Sequence, residues 1–290
     1  MRRGKGLTRS CGNPDRFERV TVHMRFCFSL LLIASFAGCR TGIDYPALNG
    51  PRYAGEPAAV TANPTGADTL RIVTFNIEFA LRVDSAIVLL ERDSALRGAD
   101  LVLLQEMDDA GTRRIAERLG LSYRYYPATF HLKYGRDVGN AVLSRWPIVE
   151  DAKIVLPHRS RFVGTHRTAT AATVRIGESL VRVYSTHLGT IANVGPEARR
   201  NQLRAILTDA EKYSRVIIGG DLNNPWVGSV AREQGYAWPT EKGPRTAIVG
   251  RLDHIFLKGL AAPERAAAGT VIDGPKASDH RPVWARAILQ

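Results

Sequence analysis

The sequence predicts an α/β domain with more than one sheet or one large mixed sheet. Two patterns carry that prediction. Early in the folded region, apolar runs of strand character alternate with segments of helical period. Later, strand-like runs follow one another closely, with turn residues between them.

The elements follow in order. TLRIVTFNIE opens the fold, with strand-forming residues from Leu70 to Ile77. Val83 to Arg97 predicts a helix, because Val83, Ile87, Leu90 and Leu96 form an apolar stripe. ADLVLLQE is an unbroken apolar run ending at Gln105 and Glu106, the pattern of a strand buried on both faces. Gly111 to Leu119 predicts a second helix, ended by Gly120. GNAVLSRWPIV, TAATVRI and LVRVYSTHLG read as further strands. Pro196 to Lys212 predicts a third helix, with proline in its first turn and Leu203, Ile206 and Leu207 on one face. RVIIGGD, a looped segment, RLDHIFL, GTVIDG and HRPVWARAIL complete the chain, and no internal repeat is present.

The N-terminal part is organised differently. From Met24, MRFCFSLLLIASFAGC has one arginine, then a short apolar run and small residues before Cys39. That is the layout of a secretory signal too short to remain as a membrane span. Its ending, FAGC, resembles the bacterial lipobox, which implies lipid modification of Cys39. Residues 24–38 are therefore expected to be a lipoprotein signal, and residues 1–23 an upstream extension. Residues 39–68, rich in Gly, Pro, Ala and Asn, read as a flexible tether to a domain spanning 69–290. The expectation is an exported, membrane-anchored monomer on the periplasmic side or cell surface.

The cysteines are Cys11, Cys27 and Cys39, so the domain has neither a disulfide framework nor a thiolate metal site. The net charge is +12. Residues 1–68 hold nine of the 40 basic and five of the 28 acidic residues, leaving 31 against 23, about +8, in the domain. Such a surplus favours anionic partners: nucleic acid, phosphate esters or acidic lipid headgroups.

Several strands end in, or begin with, groups able to do chemistry. Asn76 and Glu78 follow the first strand, Glu106 ends LVLLQE, His187 ends VYSTH, and Asp221 with Asn223 ends VIIGGD. Asp253 precedes HIFL, and Asp279 with His280 opens the last strand. Each alone has an ordinary structural explanation as a turn cap or a hydrogen-bonded core partner. Their recurrence at strand ends points to a site on a rigid scaffold. The oxygen donors suit Mg²⁺ or Mn²⁺, and the histidines suit charge stabilisation or proton transfer near neutral pH. With an aspartate base, this is a set of groups for hydrolysing a phosphate ester.

TFNIE, LLQE, GNAVLSR, STHLG, GGDLN, LDHIF and SDHRPV occur in an order that resembles the endonuclease/exonuclease/phosphatase superfamily, the DNase I-like fold. The resemblance covers roughly residues 69–290 and implies a four-layer α/β sandwich, two central sheets flanked by helices, with the site at one edge. It further implies that Asn76, Glu78, Glu106 and Asp279 belong to a metal site, with Glu106 the principal ligand. By the same resemblance Asp221 orients or deprotonates the attacking water, Asn223 contacts phosphate or metal, and Asp253 orients His280. His187 and His280 would bracket the scissile phosphate.

Further candidates are Asn140 and Arg167 for phosphate, with backbone bonding the alternative for Asn140, and Asp137 as a partner for His187. The basic loop Leu156 to Arg167 could track a phosphate backbone or lie solvated; Trp226 and Trp238 could stack on bases, with core packing expected of at least one. The predicted activity is metal-dependent phosphodiester hydrolysis, with nucleic acid the favoured substrate on charge. A phospholipid, sphingomyelin or inositol-phosphate substrate is the competitor, although the sequence shows no exposed hydrophobic hairpin of the kind a lipid hydrolase needs. A non-catalytic binding lipoprotein would show losses among these positions, and none is lost.

Overall fold

The computed structural model describes residues 42–57, 69–263 and 267–289. The predicted upstream extension, signal segment and Cys39 lie outside the described residues. Arg40–Gln290 form one compact unit.

One sheet is built from β1 (Gly42–Asp44), β2 (Tyr53–Gly55), β3 (Thr69–Asn76), β4 (Leu101–Met107), β5 (Ser122–His131), β6 (Arg136–Ser144), β12 (Ala268–Thr270) and β13 (Val283–Ile288). Its order is β1-β5-β6-β4-β3-β13-β12, with β2 also on β5. The second sheet contains β7 (Ile148–Val155), β8 (Thr168–Ile176), β9 (Ser179–His187), β10 (Val216–Asp221) and β11 (Asp253–Lys258), in the order β11-β10-β9-β8-β7. The helices are α1 (Val83–Arg92), α2 (Asp109–Leu119), α3 (Pro196–Ala210) and the short α4 (Ser229–Glu233).

Strand alternation sorts side chains into layers. On β3, Leu70 and Ile72 face the space between the sheets, where they meet Leu103, Val183, Ile217 and Ile255. Val73 and Phe75 instead join Ile87, Leu90 and Ile115 of α1 and α2. On β10, Ile217 points between the sheets, while Val216 and Ile218 pack on Leu203, Ile206 and Leu207 of α3. The result is helix, sheet, sheet, helix: the predicted four-layer sandwich, and both sheets are mixed.

The predicted elements form, but the third helix ends at Ala210, GTVIDG gives only its first two residues to β12, and three further places differ. The first helix stops at Arg92, and Leu96 is buried in the turn beyond it. GNAVLSRWPIV is broken by a turn at 145–147 into β6 and β7, two strands in different sheets. The third is β5, a ten-residue strand whose interior Pro127 argues against a regular ladder; the proline sits where the pairing register shifts.

The tether expectation fails for residues 42–57. Two three-residue strands are too short to show a period, yet both pair with β5. Side chains reinforce them: Tyr45 donates to Asp137 at 2.9 Å, and Arg52 grips Asp151 through two 2.6 Å bonds. Arg124 joins Asp151 at 3.0 Å and Glu56 at 2.7 Å.

The pairing directions bring one set of strand ends to one edge. β3 and β4 run parallel and end there, while β6 and β13 run opposite and begin there. In the second sheet β9 and β10 end, and β8 and β11 begin, at the same edge. Gln105 donating to Ser185 Oγ at 2.9 Å and Asn140 donating to the Thr168 carbonyl at 2.8 Å tie the two sheets together just below it.

Candidate active site

Asp221 is the centre of the edge. Sheet register places it opposite His187 of β9 on one side and Asp253 of β11 on the other. From the facing sheet, Asn76 Nδ2 donates to Asp221 Oδ2 at 3.1 Å. His187 Nε2 and His280 Nε2 lie 3.4 and 3.6 Å from the same oxygen. The other oxygen accepts the Asn223 backbone N–H at 2.9 Å. His280 Nδ1 meets Asp253 Oδ2 at 2.8 Å, which fixes the ring with Nε2 toward Asp221. Glu106 Oε1 stands 3.6 Å from His187 Nδ1, and Arg167 reaches the same nitrogen at 3.3 Å.

The backbone is strained where these groups sit. Among the described residues six non-glycines have positive φ: Glu78, Phe79, Ala80, Glu106, His158 and Asn223. All six lie at this edge. Left-handed backbone in a non-glycine residue costs on the order of 1 kcal/mol and persists only where surroundings impose it. Here Glu106 occupies the register shift between Leu104 and Met107, so its side chain leaves the β4 pleat. The Phe79 N–H then donates to Glu106 Oε2 at 3.2 Å, and the Glu78 N–H to Asn76 Oδ1 at 3.0 Å.

Burial and charge set the protonation states. Burial, then the neighbouring Asp253 carboxylate, raises the pKa of Asp221 to about 7. Burial pushes His280 down, but Asp253, by charge and hydrogen bond, and Asp221 outweigh it and raise its pKa to about 10. His187 goes the other way, well below its ordinary value, through burial and the positive charges of Arg167 and His280. At neutral pH the site therefore holds a neutral imidazole, His187, and an imidazolium, His280, on either side of a carboxyl group that keeps its proton to higher pH than an ordinary aspartate.

Other predicted residues are placed as follows. Arg167 joins the cluster. Asn140 borders the cleft beside Glu106 and His187, but its amide donates to Thr168, the backbone alternative. Asn223 uses its amide to hold the Leu188 carbonyl at 2.9 Å. The Glu78 carboxylate is taken by Arg82 on the same turn. Asp279 is exposed and accepts from Ser278 Oγ at 3.3 Å; its charge still acts on His280 and Glu106. Asp137 does not serve His187: it is bonded to Tyr45, and His187 Nδ1 faces Glu106 and Arg167. Trp238 packs on Phe256 and donates to His254, whereas Trp226 is exposed. The glycines of GGD serve packing rather than substrate: a Cβ on Gly219 would sit 2.5 Å from Leu103 Cδ1 of the other sheet, and one on Gly220 would strike the Thr186 carbonyl.

Sequence reasoning missed Thr246, whose hydroxyl accepts from the Asp253 N–H at 3.2 Å, and Ser278, whose hydroxyl accepts from the His280 N–H at 3.0 Å. The serine in SDHRPV was a usable signal; Thr246, in a loop without motif, gave none.

The donor set fits a hard divalent cation at Glu106 and Asn76. Glu106 is a carboxylate only 14 % exposed, raised by burial and only partly compensated by Arg167 and Asn76. A buried carboxylate of this kind is stabilised by a cation, and its oxygen ligands suit Mg²⁺ or Mn²⁺. Donor atoms of Asp221, Asp253 and His280 also lie within 4.8 Å of one another. There, however, Asp253 Oδ2 is committed to His280 Nδ1, and His280 Nε2 stands 3.6 Å from Asp221 as an ion pair.

No curated protein matches the chain. Solved structures do. Danio rerio TDP2 complexed with single-strand DNA product is 19 % identical, covers 76 % of this chain and 99 % of its own, with TM-score 0.60. The human Nocturnin catalytic domain is 19 % identical over 83 % of this chain and 97 % of its own, with TM-score 0.56. The Bacteroides thetaiotaomicron mannosyl-6-phosphatase Bt3783 is 15 % identical over 76 % and 100 %, with TM-score 0.55. The sequence model of the endonuclease/exonuclease/phosphatase family matches residues 73–280, from β3 to the histidine that Asp253 holds. An edge that joins Asn76, Glu106, His187, Asp221, Asp253 and His280 across two sheets thus falls within a single match, and the chain belongs to the endonuclease/exonuclease/phosphatase family.

Proposed function

We propose that the protein is a divalent-metal-dependent phosphodiesterase. One observation carries this reading: a buried Asp221 carboxylate flanked by His187 and His280 across two sheets, with Glu106 beside His187. Phosphoryl transfer needs a group to take a proton from water and positive groups around the phosphate oxygens. Asp221 accepts the water proton as the oxygen attacks phosphorus; the bond to the leaving oxygen breaks, and that oxygen departs as an alcohol by taking a proton from solvent water, while Asp221 returns its own to solvent. His280, held protonated by Asp253, and Arg167 stabilise negative charge on the phosphoryl oxygens. His187 remains neutral and its Nε2, buried without a hydrogen-bond partner, is free to bond substrate. A cation at Glu106 and Asn76 would neutralise phosphate charge and hold its orientation.

The basic balance of the domain supports an anionic substrate. Nucleic acid rests on that charge, and a structural neighbour bound to single-strand DNA is consistent with it. A lipid-borne ester is the second reading, favoured by the apolar rim described below. The segment ending at Cys39 supports an exported lipoprotein. The test is hydrolysis of bis-p-nitrophenyl phosphate in Mg²⁺, Mn²⁺ or EDTA. Metal-dependent release of p-nitrophenolate that Glu106→Gln weakens roughly 10²-fold or more supports the reading. Equal turnover in EDTA removes the metal from it.

A further inference from the structure

The loops around the cleft are apolar at their tips. Among the described residues the three most exposed large apolar side chains are Ile248 (86 %), Val249 (77 %) and Trp226 (75 %). Ile248 and Val249 lie in the loop that leads into β11, and Trp226 in the loop that leaves β10, both at the edge where Asp221 and Asp253 stand. The same edge presents Phe162 between β7 and β8, Ile191 after β9, and Leu132 at the tip of the β5–β6 hairpin. Val149 and Leu180, at the far ends of β7 and β9, are less exposed than any of these six, while Leu48, between β1 and β2, is exposed to the same degree as Ile191. Isolated exposed apolar residues need no explanation, but six of them in five loops at one edge of the two sheets mark an interaction surface.

Cations are interleaved with these residues. Lys133 follows Leu132, Arg159 and Arg161 flank Phe162 in sequence, and Arg245 lines a small cavity with Ile248, Asp279 and Arg281. In these loops the exposed acids are Asp273 and Asp279, outnumbered by exposed lysines and arginines. Apolar tips that enter the acyl boundary, with cations at headgroup level, match an anionic bilayer surface. Single-stranded nucleic acid asks for aromatic platforms on which bases stack, and most of these six are aliphatic.

We propose that this edge docks on an anionic bilayer, and that the esters hydrolysed are phosphodiesters of lipid headgroups presented there. The proposal rests on the phosphodiesterase reading above. Its test uses residues 40–290, a compact unit without Cys39, so that binding cannot come from a lipid anchor. The protein is sedimented with vesicles of phosphatidylcholine alone and of phosphatidylcholine with phosphatidylglycerol, and headgroup release is followed in parallel. The expected result is binding to the anionic vesicles with headgroup release. Ile248→Asp with Val249→Asp, or Phe162→Asp in a separate loop, should lower both about tenfold or more, while bis-p-nitrophenyl phosphate hydrolysis is unchanged. Turnover of bis-p-nitrophenyl phosphate without vesicle binding overturns the docking and leaves the reaction standing. Binding of a single-stranded oligonucleotide through the same residues, with no vesicle binding, overturns it in favour of nucleic acid. If bis-p-nitrophenyl phosphate is not hydrolysed, the phosphodiesterase reading itself fails.

Discussion

Asp221 owes its raised pKa to burial and to its neighbours. A carboxylate as buried as this one, beside a second carboxylate, holds its proton to about pH 7, and His280 opposes that pull. Activity that needs the Asp221 carboxylate should therefore rise with pH through about 7, and activity that needs the His280 imidazolium should fall through about 10. Removing the Asp253 charge with Asp253→Asn takes away what raises His280, so the alkaline limb should move to lower pH; a pH–rate profile shows it. A variant with an unmoved alkaline limb would take His280 out of that role. At this scale the polar residues ending each strand were legible because GGDLN and SDHRPV are short, dense motifs. The strain at Glu78, Phe79 and Glu106 was not, since left-handed backbone in a non-glycine residue is imposed by the fold and leaves no mark in composition.

Among the elements, the segment carrying β1 and β2 has the most to test. Its anchor is Asp151, buried yet lowered to about 2 by its bonds to Arg52 and Tyr126 and by the charges of Arg52 and Arg124. A carboxylate with a depressed folded pKa contributes stability that is present above its unfolded value of 3.8 and is lost as pH falls from there toward 2. Arg52 is 46 % exposed, so screening trims the contribution to about 1–2 kcal/mol. Asp151→Asn should lower Tm by a few degrees at pH 7 and narrow the gap from wild type near pH 2; calorimetry at the two pH values tests this. Long periodic elements such as α3 and β4 were readable in the sequence. β1 and β2 were hidden because three residues carry no period, and β5 because Pro127 breaks its pattern where the ladder bulges.

For the whole molecule, the site exists only because two sheets meet face to face. Asn76 and Glu106 come from one sheet, while His187, Asp221 and Asp253 come from the other. Gly219 allows the close approach: in Gly219→Val the new Cβ meets Leu103 at 2.5 Å before its methyls are added. Overpacking of this kind should cost about 1–3 kcal/mol in urea unfolding and weaken turnover by misaligning the two halves of the site. Alternating and closely spaced strands announced a layered α/β domain; the pairing order that closes the edge had no local signature. On the reading proposed above, Asp221 activates water against a phosphodiester. The most direct measurement is the turnover number of residues 40–290 and of Asp221→Asn on bis-p-nitrophenyl phosphate in Mg²⁺, with circular dichroism to verify folding. The expected outcome is a folded variant slower by about 10²–10⁴-fold; a folded variant as fast as wild type would take Asp221 out of that role.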